Sequence, residues 1–135
     1  MTAEPIVVAE DDPEDQLLLR EAWSEVAPER SLEFVSDGGE LLDYLREHRP
    51  TIIVLDLNLP VKDGRAVLRE RRDDARLRRL PVVVLSTSSA NEDVELVYDL
   101  GGAGYFVKPH TFDELCDTVR AVDGYWTRAR RAELR

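Results

Sequence analysis

The stretch TIIVLDLNLPVKDG, residues 51–64, begins with an apolar run and then changes abruptly to polar and turn-forming residues. A short apolar run bounded by turn signals is typical of a strand that is buried on both faces of a parallel sheet. Further along, Pro60 and the pair Asp63–Gly64 turn the chain sharply. The stretch therefore predicts a buried strand, Thr51–Asp56, that ends in a carboxylate and is followed by a turn and a helix.

The same alternation of apolar runs and amphipathic stretches extends along the chain, and it is the pattern of repeated strand–helix–strand units. Parallel strands are joined by right-handed crossovers, so the helices lie on both faces of the sheet. The sequence therefore predicts an α/β fold with a doubly wound, five-stranded parallel sheet. The five predicted strands are Ile6–Ala9, Leu32–Ser36, Thr51–Asp56, Val82–Ser86 and Ala103–Val107.

The length of 135 residues fits a single domain, 1–135, with a core at about residues 5–126 and a C-terminal helix extension over residues 127–135. The longest apolar runs have four residues, which is too short for a membrane span or a signal-peptide core. The lone Cys116 cannot form an internal disulfide. We therefore expect a cytoplasmic protein that does not contact a membrane.

The net charge of −10 argues against general nucleic-acid binding, because phosphate contacts need a clustered positive surface. Basic residues do gather in RERRDDARLRR, residues 69–79, but two aspartates interrupt them. Such a run is typical of a solvated helix face. We expect no nucleic-acid partner.

Several polar residues lie where helices are predicted to begin or end. Asp12, Asp37 and Asp63 are expected to be helix caps or turn residues, and TFDE, residues 111–114, resembles a capping box. Gly101 suits the left-handed turn that closes the fourth helix. These residues have a structural explanation that does not require a functional site.

Other polar side chains end the predicted strands themselves. In doubly wound sheets, ligands bind beyond the carboxyl ends of the strands, where the strand order reverses. We therefore expect these side chains to meet at one edge of the molecule. They are Glu10 and Asp11 after the first strand, Asp56 in the third, Ser86 in the fourth and Lys108 after the fifth.

Carboxylates gathered in this way repel one another unless a cation balances them. Oxygen ligands from separate loops suit Mg²⁺, and the backbone carbonyl of Asn58 offers one more such ligand. Lys108 adds a positive charge and Ser86 a hydroxyl donor, which together favour a site for a phosphoryl group. Asp56 is the best candidate for the reacting group, since an aspartate can form an acyl phosphate.

Four stretches, AEDD (9–12), DLNLPVKDG (56–64), PVVVLS (81–86) and GYFVKP (104–109), resemble the motifs of the receiver domain of bacterial two-component response regulators. The resemblance covers nearly the whole chain, with the motifs in the family's order. It implies a flavodoxin-like fold with strand order 2-1-3-4-5. It also implies Mg²⁺ as cofactor and a histidine kinase or phosphotransfer protein as partner in a phosphorelay. Such a domain catalyses its own phosphotransfer and autodephosphorylation without being an enzyme for a separate substrate.

By position in these motifs, the resemblance makes Asp56 the phosphoacceptor and Lys108 the phosphate-binding lysine. Asp11 becomes the direct metal ligand, while Glu10 acts through water. The Lys108–Pro109 bond is cis in this family, which suits a tight turn.

The resemblance also assigns residues that respond to the phosphoryl group or control its loss. Ser86 takes the place of the switch hydroxyl, although an alternative register would use Thr87, and Tyr105 is the aromatic that changes rotamer. Asn58 and Ser88 line the approach of water and tune hydrolysis.

The output and the partners follow from the same resemblance. Signalling is expected to pass through the surface of the fourth helix, fifth strand and fifth helix. LSTS (85–88) and GYW (124–126) look most like single-domain regulators paired with phytochrome-type kinases. Tyr125 and Trp126 either complete the core or form a homodimer patch on the last helix.

Two other functions remain open from the sequence. A metal-dependent phosphohydrolase would use Asp56 as its nucleophile, but such enzymes generally place a second Asp two residues on, where this chain has Asn58. A pseudo-receiver would bind partners without being phosphorylated, although every reactive residue is present.

Overall fold

The computed structural model describes residues 4–126, apart from the side chain of Trp126. Strands and helices alternate, as the sequence predicts. The strands are β1 (Ile6–Ala9), β2 (Leu32–Val35), β3 (Ile52–Leu55), β4 (Val82–Ser86) and β5 (Gly104–Val107). The helices are α1 (Pro13–Val26), α2 (Gly38–Glu47), α3 (Gly64–Asp73), α4 (Asn91–Asp99) and α5 (Phe112–Trp126), with a short 3₁₀ turn at Leu77–Arg79.

The five strands form one parallel sheet in the order β2-β1-β3-β4-β5. The predicted fold and strand order are therefore confirmed. Strands β2 and β5 are each one residue shorter than predicted, and β3 is one residue shorter at each end. As a result, Asp56 lies just beyond the ladder of β3 and not within it.

The core lies on both faces of the sheet, because successive side chains of a strand point to opposite sides. Val7 and Ile53 pack toward α2, α3 and α4, whereas Ile6 and Ile52 pack toward α1 and α5. Strands β1, β3 and β4 are buried along their whole length, as expected for a parallel sheet covered on both faces.

The predicted helix caps are confirmed. Asp12, Asp37 and Asp63 each accept a backbone N–H from the first turn of the helix that follows. Thr111 Oγ1 accepts the N–H of the residue three positions on at 3.1 Å. Gly101 has a φ of 88°, in the left-handed region that favours glycine. The sequence therefore identifies the residues that begin and end the helices.

The last helix packs an apolar stripe on the sheet and on α1, and Leu115, Val119 and Val122 are buried there beside Cys116. The side chain of Trp126, expected to complete the core or to form a homodimer patch, lies outside the described residues, as does the predicted extension over 127–135. Within residues 4–126, every helix is too short or too polar to cross a bilayer.

The expectation of a cis bond between Lys108 and Pro109 is wrong, since every peptide bond in the described part of the chain is trans. The trans form is favoured by about 0.5–1 kcal/mol even before proline. The N–H of Lys108 donates to the carbonyl of Ser86 at 2.7 Å, so sheet pairing continues to the lysine and orients it.

Candidate functional site

Three carboxylates meet beyond the carboxyl ends of β1 and β3. These strands pair with Ala9 opposite Leu55, so the residues that follow, Glu10 and Asp56, emerge side by side. Carboxylate oxygens of Glu10, Asp11 and Asp56 lie within 4.8 Å of one another. Glu10 and Asp56 are buried and Asp11 is exposed. The cluster is therefore closed on the protein side and open to solvent at Asp11.

Lys108 reaches this cluster from the end of β5. Its Nζ lies 2.6 Å from Oε1 of Glu10 and 3.0 Å from Oδ2 of Asp56. A third carboxylate, Asp15, accepts from the same ammonium group at 2.9 Å. One cation is thus shared among three carboxylates, which fixes its position at the edge of the sheet.

Asp15 is the residue at this site that the sequence reasoning missed. It lies in the first turn of α1, where an acidic residue is explained by the helix dipole alone. The available signal was its position three residues after the cap Asp12. Side chains in a helix tilt toward its N-terminus, so a residue in the first turn can reach the strand end that precedes the helix.

Burial and hydrogen bonding act in opposite directions on the charges of this site. Burial lowers the pKa of Lys108, but the hydrogen bonds to Glu10, Asp15 and Asp56 outweigh it and hold that pKa above the usual value. Burial is also the main influence on Glu10 and raises its pKa, although the hydrogen bond to Lys108 opposes this. The lysine is therefore charged at neutral pH and keeps a compensating charge beside the carboxylates.

The loop after β3 holds Asp56 in place. The N–H of Asn58 donates to Oδ1 of Asp56 at 3.1 Å, and the N–H of Gly64 closes the loop onto the carbonyl of Leu57 at 2.8 Å. A Cβ on Gly64 would meet the backbone oxygen of Asp56 and lie 2.7 Å from Cα of Leu57. Only glycine lets α3 begin this close to the aspartate.

Ser86 ends β4 at the same edge of the sheet and is fully buried, whereas Thr87 is exposed. The Oγ of Ser86 accepts the N–H of Ser88 at 3.2 Å. Tyr105, on β5, donates its hydroxyl to the carbonyl of Ser88 at 2.7 Å and is partly buried against the core. Burial at the edge of the sheet distinguishes Ser86 from Thr87, and Ser88 contacts both predicted switch residues.

The donor set fits a divalent cation. Glu10, Asp11 and Asp56 supply only oxygen ligands, and the exposed Asp11 leaves one side accessible to solvent. Mg²⁺ prefers carboxylate oxygens and usually keeps several waters, which suits a site that is open on one side. The arrangement therefore combines a cation site, a fixed ammonium group and a carboxylate that touches both.

A family model for the response regulator receiver domain matches residues 6–120. Among curated proteins, the probable methanogenesis regulatory protein FilR2 of Methanothrix harundinacea is 35% identical, covering 90% of this chain and 82% of the relative. The response regulator Rcp1 of Synechocystis is 34% identical, covering 90% of this chain and 87% of Rcp1.

Solved structures agree with these relatives. The phosphorylated cyanobacterial phytochrome response regulator RcpA matches with a TM-score of 0.89 and 37% identity, covering 97% of this chain and 99% of RcpA. The Mn²⁺-bound form of Rcp1 has a TM-score of 0.85 and 32% identity over 97% of this chain and 99% of its own. The receiver domain of the sensor histidine kinase PA1611 from Pseudomonas aeruginosa, with magnesium coordinated in its active-site cleft, has a TM-score of 0.74 and 26% identity over 91% of this chain and 99% of its own.

These matches agree with the motifs, the strand order and the geometry of the acidic edge. A phytochrome regulator is among them, as expected from LSTS and GYW. Receiver domains work with histidine kinases or phosphotransfer proteins in two-component signalling. The chain belongs to the response regulator receiver domain family.

Proposed function

We propose that this domain accepts a phosphoryl group from a histidine kinase, or from a phosphotransfer protein, onto the carboxylate of Asp56. The observation that carries the proposal is the position of Asp56. Its carboxylate is 8% exposed, 3.0 Å from the ammonium group of Lys108 and within the acidic cluster that also holds Glu10 and Asp11.

In the proposed step, an oxygen of Asp56 attacks the phosphorus of the partner's phosphohistidine. A P–O bond forms while the P–N bond breaks, and the electron pair of that bond returns to the imidazole nitrogen. The hydrogen bonds from Asn58 and Lys108 leave lone pairs on both carboxylate oxygens. Attack therefore remains possible from the resting geometry.

Glu10, Asp11 and Asp56 are the residues that would hold Mg²⁺, with the backbone carbonyl of Asn58 as a further ligand. The ion supplies neutralisation of the charge that develops on the transferred phosphoryl oxygens. Relatives support this assignment, since Rcp1 has been solved with Mn²⁺ and the PA1611 receiver domain with magnesium. Lys108 is already positioned to bind a phosphoryl oxygen from the other side.

The new negative charge on Asp56 attracts the hydroxyl of Ser86, and Tyr105 moves into the space that the serine leaves. This biases the surface formed by α4, β5 and α5, which passes the signal on. Exposed apolar side chains support this assignment, because Tyr98 on α4, Val107 on β5 and Tyr125 on α5 are 51%, 47% and 65% exposed. We also propose this helix–strand–helix surface, through α5, as the homodimer interface.

The acyl phosphate is then lost by hydrolysis. Water attacks phosphorus, the P–O bond to Asp56 breaks, and its electron pair restores the carboxylate as phosphate leaves. Asn58 and Ser88 flank this approach and offer neither an acid nor a large shield, so we expect decay at an intermediate rate. A phosphorylated form that persists for many hours would contradict this.

The proposed kinase is of the phytochrome type, because RcpA, a phytochrome response regulator, is similar over almost its whole length. The residues of the site do not support the phosphohydrolase alternative. Asn58 occupies the position where that mechanism needs an acid or base, and its amide cannot transfer a proton.

The test is intact mass before and after incubation with a small phosphodonor and Mg²⁺, together with the light-scattering mass of both forms. We expect one added phosphoryl group on the wild type and none on Asp56→Asn. Labelling of Asp56→Asn at the wild-type rate would overturn the assignment. Steady turnover of a chromogenic phosphate ester would instead support the hydrolase, and an unchanged oligomeric mass would remove the dimer from the proposed output.

A further inference from the structure

Ser88 uses all three of its polar groups within the chain. Its N–H donates to Oγ of Ser86 at 3.2 Å, and its carbonyl accepts from the hydroxyl of Tyr105 at 2.7 Å. Its own hydroxyl donates to Oδ2 of Asp93, in the first turn of α4, at 2.6 Å. Ser88 therefore links both predicted switch residues to the start of α4.

Asp93 is held on its other side by Arg65 of α3, whose Nε lies 3.0 Å from Oδ1 of Asp93. Arg65 also donates to both carboxylate oxygens of Asp63, the cap of α3, at 3.2 Å. The side chain of Asp93 is only 18% exposed, so the ion pair is partly shielded from water. The hydrogen bond from Arg65, and then the one from Ser88, hold the pKa of Asp93 below its usual value.

These contacts join the two loops that flank Asp56. Asp63 ends the loop after β3 and Arg65 follows it in the first turn of α3, whereas Ser88 belongs to the loop after β4. Arg65 and Asp93 are 28 positions apart in the sequence, and the two loops have no strand pairing of their own. The ion pair of Arg65 and Asp93 therefore joins the starts of α3 and α4, and Ser88 connects it to the loop after β4.

We propose that the contacts Arg65–Asp93–Ser88 form a latch that holds the loop after β4 in its resting position, with Asp93 as the positioning residue. The inference rests on the proposed function, since it concerns how readily Ser86 moves toward a phosphoryl group on Asp56.

Ser86 must change its hydrogen bond with Ser88 when it responds to a phosphoryl group on Asp56. When its hydroxyl turns toward Asp56, the acceptor Oγ leaves the N–H of Ser88 or pulls Ser88 with it. Ser88 follows only if its hydroxyl separates from Asp93. The latch therefore stabilises the resting position, and weakening it favours the activated one by population shift.

The test measures binding of beryllofluoride, which mimics a phosphoryl group on a carboxylate, at saturating Mg²⁺. We expect Asp93→Asn to bind it about threefold to tenfold more tightly than the wild type, as for loss of a partly shielded ion pair. Asp93→Glu restores the charge and is expected to return the affinity toward the wild-type value. Glu92→Gln removes an exposed charge from the same helix turn and serves as the matched control.

Two further observations separate a latch from a general loss of structure. Ser88→Ala is expected to tighten binding as Asp93→Asn does, although it also removes the acceptor of the Ala90 N–H, which lies 3.2 Å from Oγ of Ser88. The double variant is expected to add little to Ser88→Ala, because both substitutions act on the contact between Ser88 and Asp93. In ¹⁵N NMR spectra of the free protein, the amides of residues 86–90 in Asp93→Asn are expected to shift toward their beryllofluoride-bound positions. If Asp93→Asn fails to fold, Arg65→Gln tests the same latch from α3.

Wild-type or weaker affinity in Asp93→Asn, or an equal effect of Glu92→Gln, overturns the latch while leaving phosphorylation of Asp56 intact. Absence of beryllofluoride binding to the wild type overturns the proposed function, and the latch falls with it. The two failures are therefore distinguishable.

Discussion

Nζ of Lys108 lies 3.0 Å from Oδ2 of Asp56, although the two residues are 52 positions apart in the sequence. The parallel sheet makes this contact possible, because β3 and β5 end at the same edge with β4 between them. The same ammonium group also contacts Glu10 and Asp15. Three carboxylates therefore share one fixed positive charge, and a fourth, Asp11, lies within the acidic cluster beside them, so negative charge exceeds positive charge at the site.

Replacing Lys108 by Met tests that balance. We expect the variant to be about 2–4 kcal/mol less stable than the wild type without Mg²⁺, because buried carboxylates lose their counter-charge. Mg²⁺ should then stabilise the variant more than the wild type, since it binds only the folded state and meets a more negative site. Urea unfolding of both proteins with and without Mg²⁺ measures both effects. A variant as stable as the wild type without Mg²⁺, or stabilised no more than the wild type by Mg²⁺, would contradict the account.

Glu10 provides a prediction about pH. Its pKa in the folded protein is raised above the ordinary value of 4.5, chiefly by burial. The pH window of interest lies between the pKa of Glu10 in the unfolded chain and its higher pKa in the folded protein. As the pH rises through this window, the unfolded chain loses the proton of Glu10 first, so the free energy of unfolding decreases. Below the window the group is protonated in both states and contributes nothing.

The comparison is between the wild type and Glu10→Gln in Mg²⁺-free buffer. The variant lacks this titration, so its stability relative to the wild type should increase as the pH rises from below 4.5 toward neutrality. The constant difference at low pH reports the altered hydrogen bond from the N–H of Asp12 to the side chain of residue 10, which is 3.1 Å in the wild type. A relative stability that is flat or falls with pH is incompatible with a raised pKa.

Asp15→Asn tests the carboxylate that the sequence did not reveal. Asp15 is outside the cluster of three that could hold the metal, but its charge attracts a cation through space. We expect the Mg²⁺ dissociation constant to rise about threefold to tenfold, corresponding to roughly 0.7–1.4 kcal/mol. Calorimetric titration measures it, with Glu14→Gln, an exposed carboxylate in the same turn, as control. Equal effects of the two variants would show that Asp15 has no special position.

Gly64→Ala tests the loop that positions Asp56. The added Cβ would meet the backbone oxygen of Asp56 and Cα of Leu57, and these backbone atoms cannot move away as a flexible side chain could. We expect a loss of about 1–3 kcal/mol in stability, as for overpacking in a core, and a slower phosphorylation rate. Chemical denaturation and labelling with a small phosphodonor give the two values. Unchanged stability would mean that the loop has more space than the structure shows.

The fold could be predicted from the sequence because each element carries its own local signal. The apolar runs of β1, β3 and β4 are continuous, and the caps Asp12, Asp37 and Asp63 mark the helix starts. The convergence of Glu10, Asp11, Asp56 and Lys108 followed from one general property, the shared edge at which parallel strands end.

What could not be predicted depends on side-chain geometry across loops. Asp15 is indistinguishable in sequence from an ordinary acidic residue in a first helical turn. The contact of Arg65 with Asp93 requires the relative position of α3 and α4, which no local pattern encodes. The expectation of a cis bond before Pro109 came from the resemblance to the family and not from a local signal. In the structure this bond is trans, and the hydrogen bond from the N–H of Lys108 to the carbonyl of Ser86 orients the lysine.

The most direct test of the central claim is chemical trapping of the phosphorylated side chain. After incubation with a phosphodonor and Mg²⁺, borohydride reduces an aspartyl phosphate to homoserine, and peptide mass spectrometry locates it. We expect homoserine at position 56 and nowhere else, with none formed when Mg²⁺ is omitted. Homoserine at another aspartate, or a phosphorylated residue that resists reduction, would contradict the assignment of Asp56.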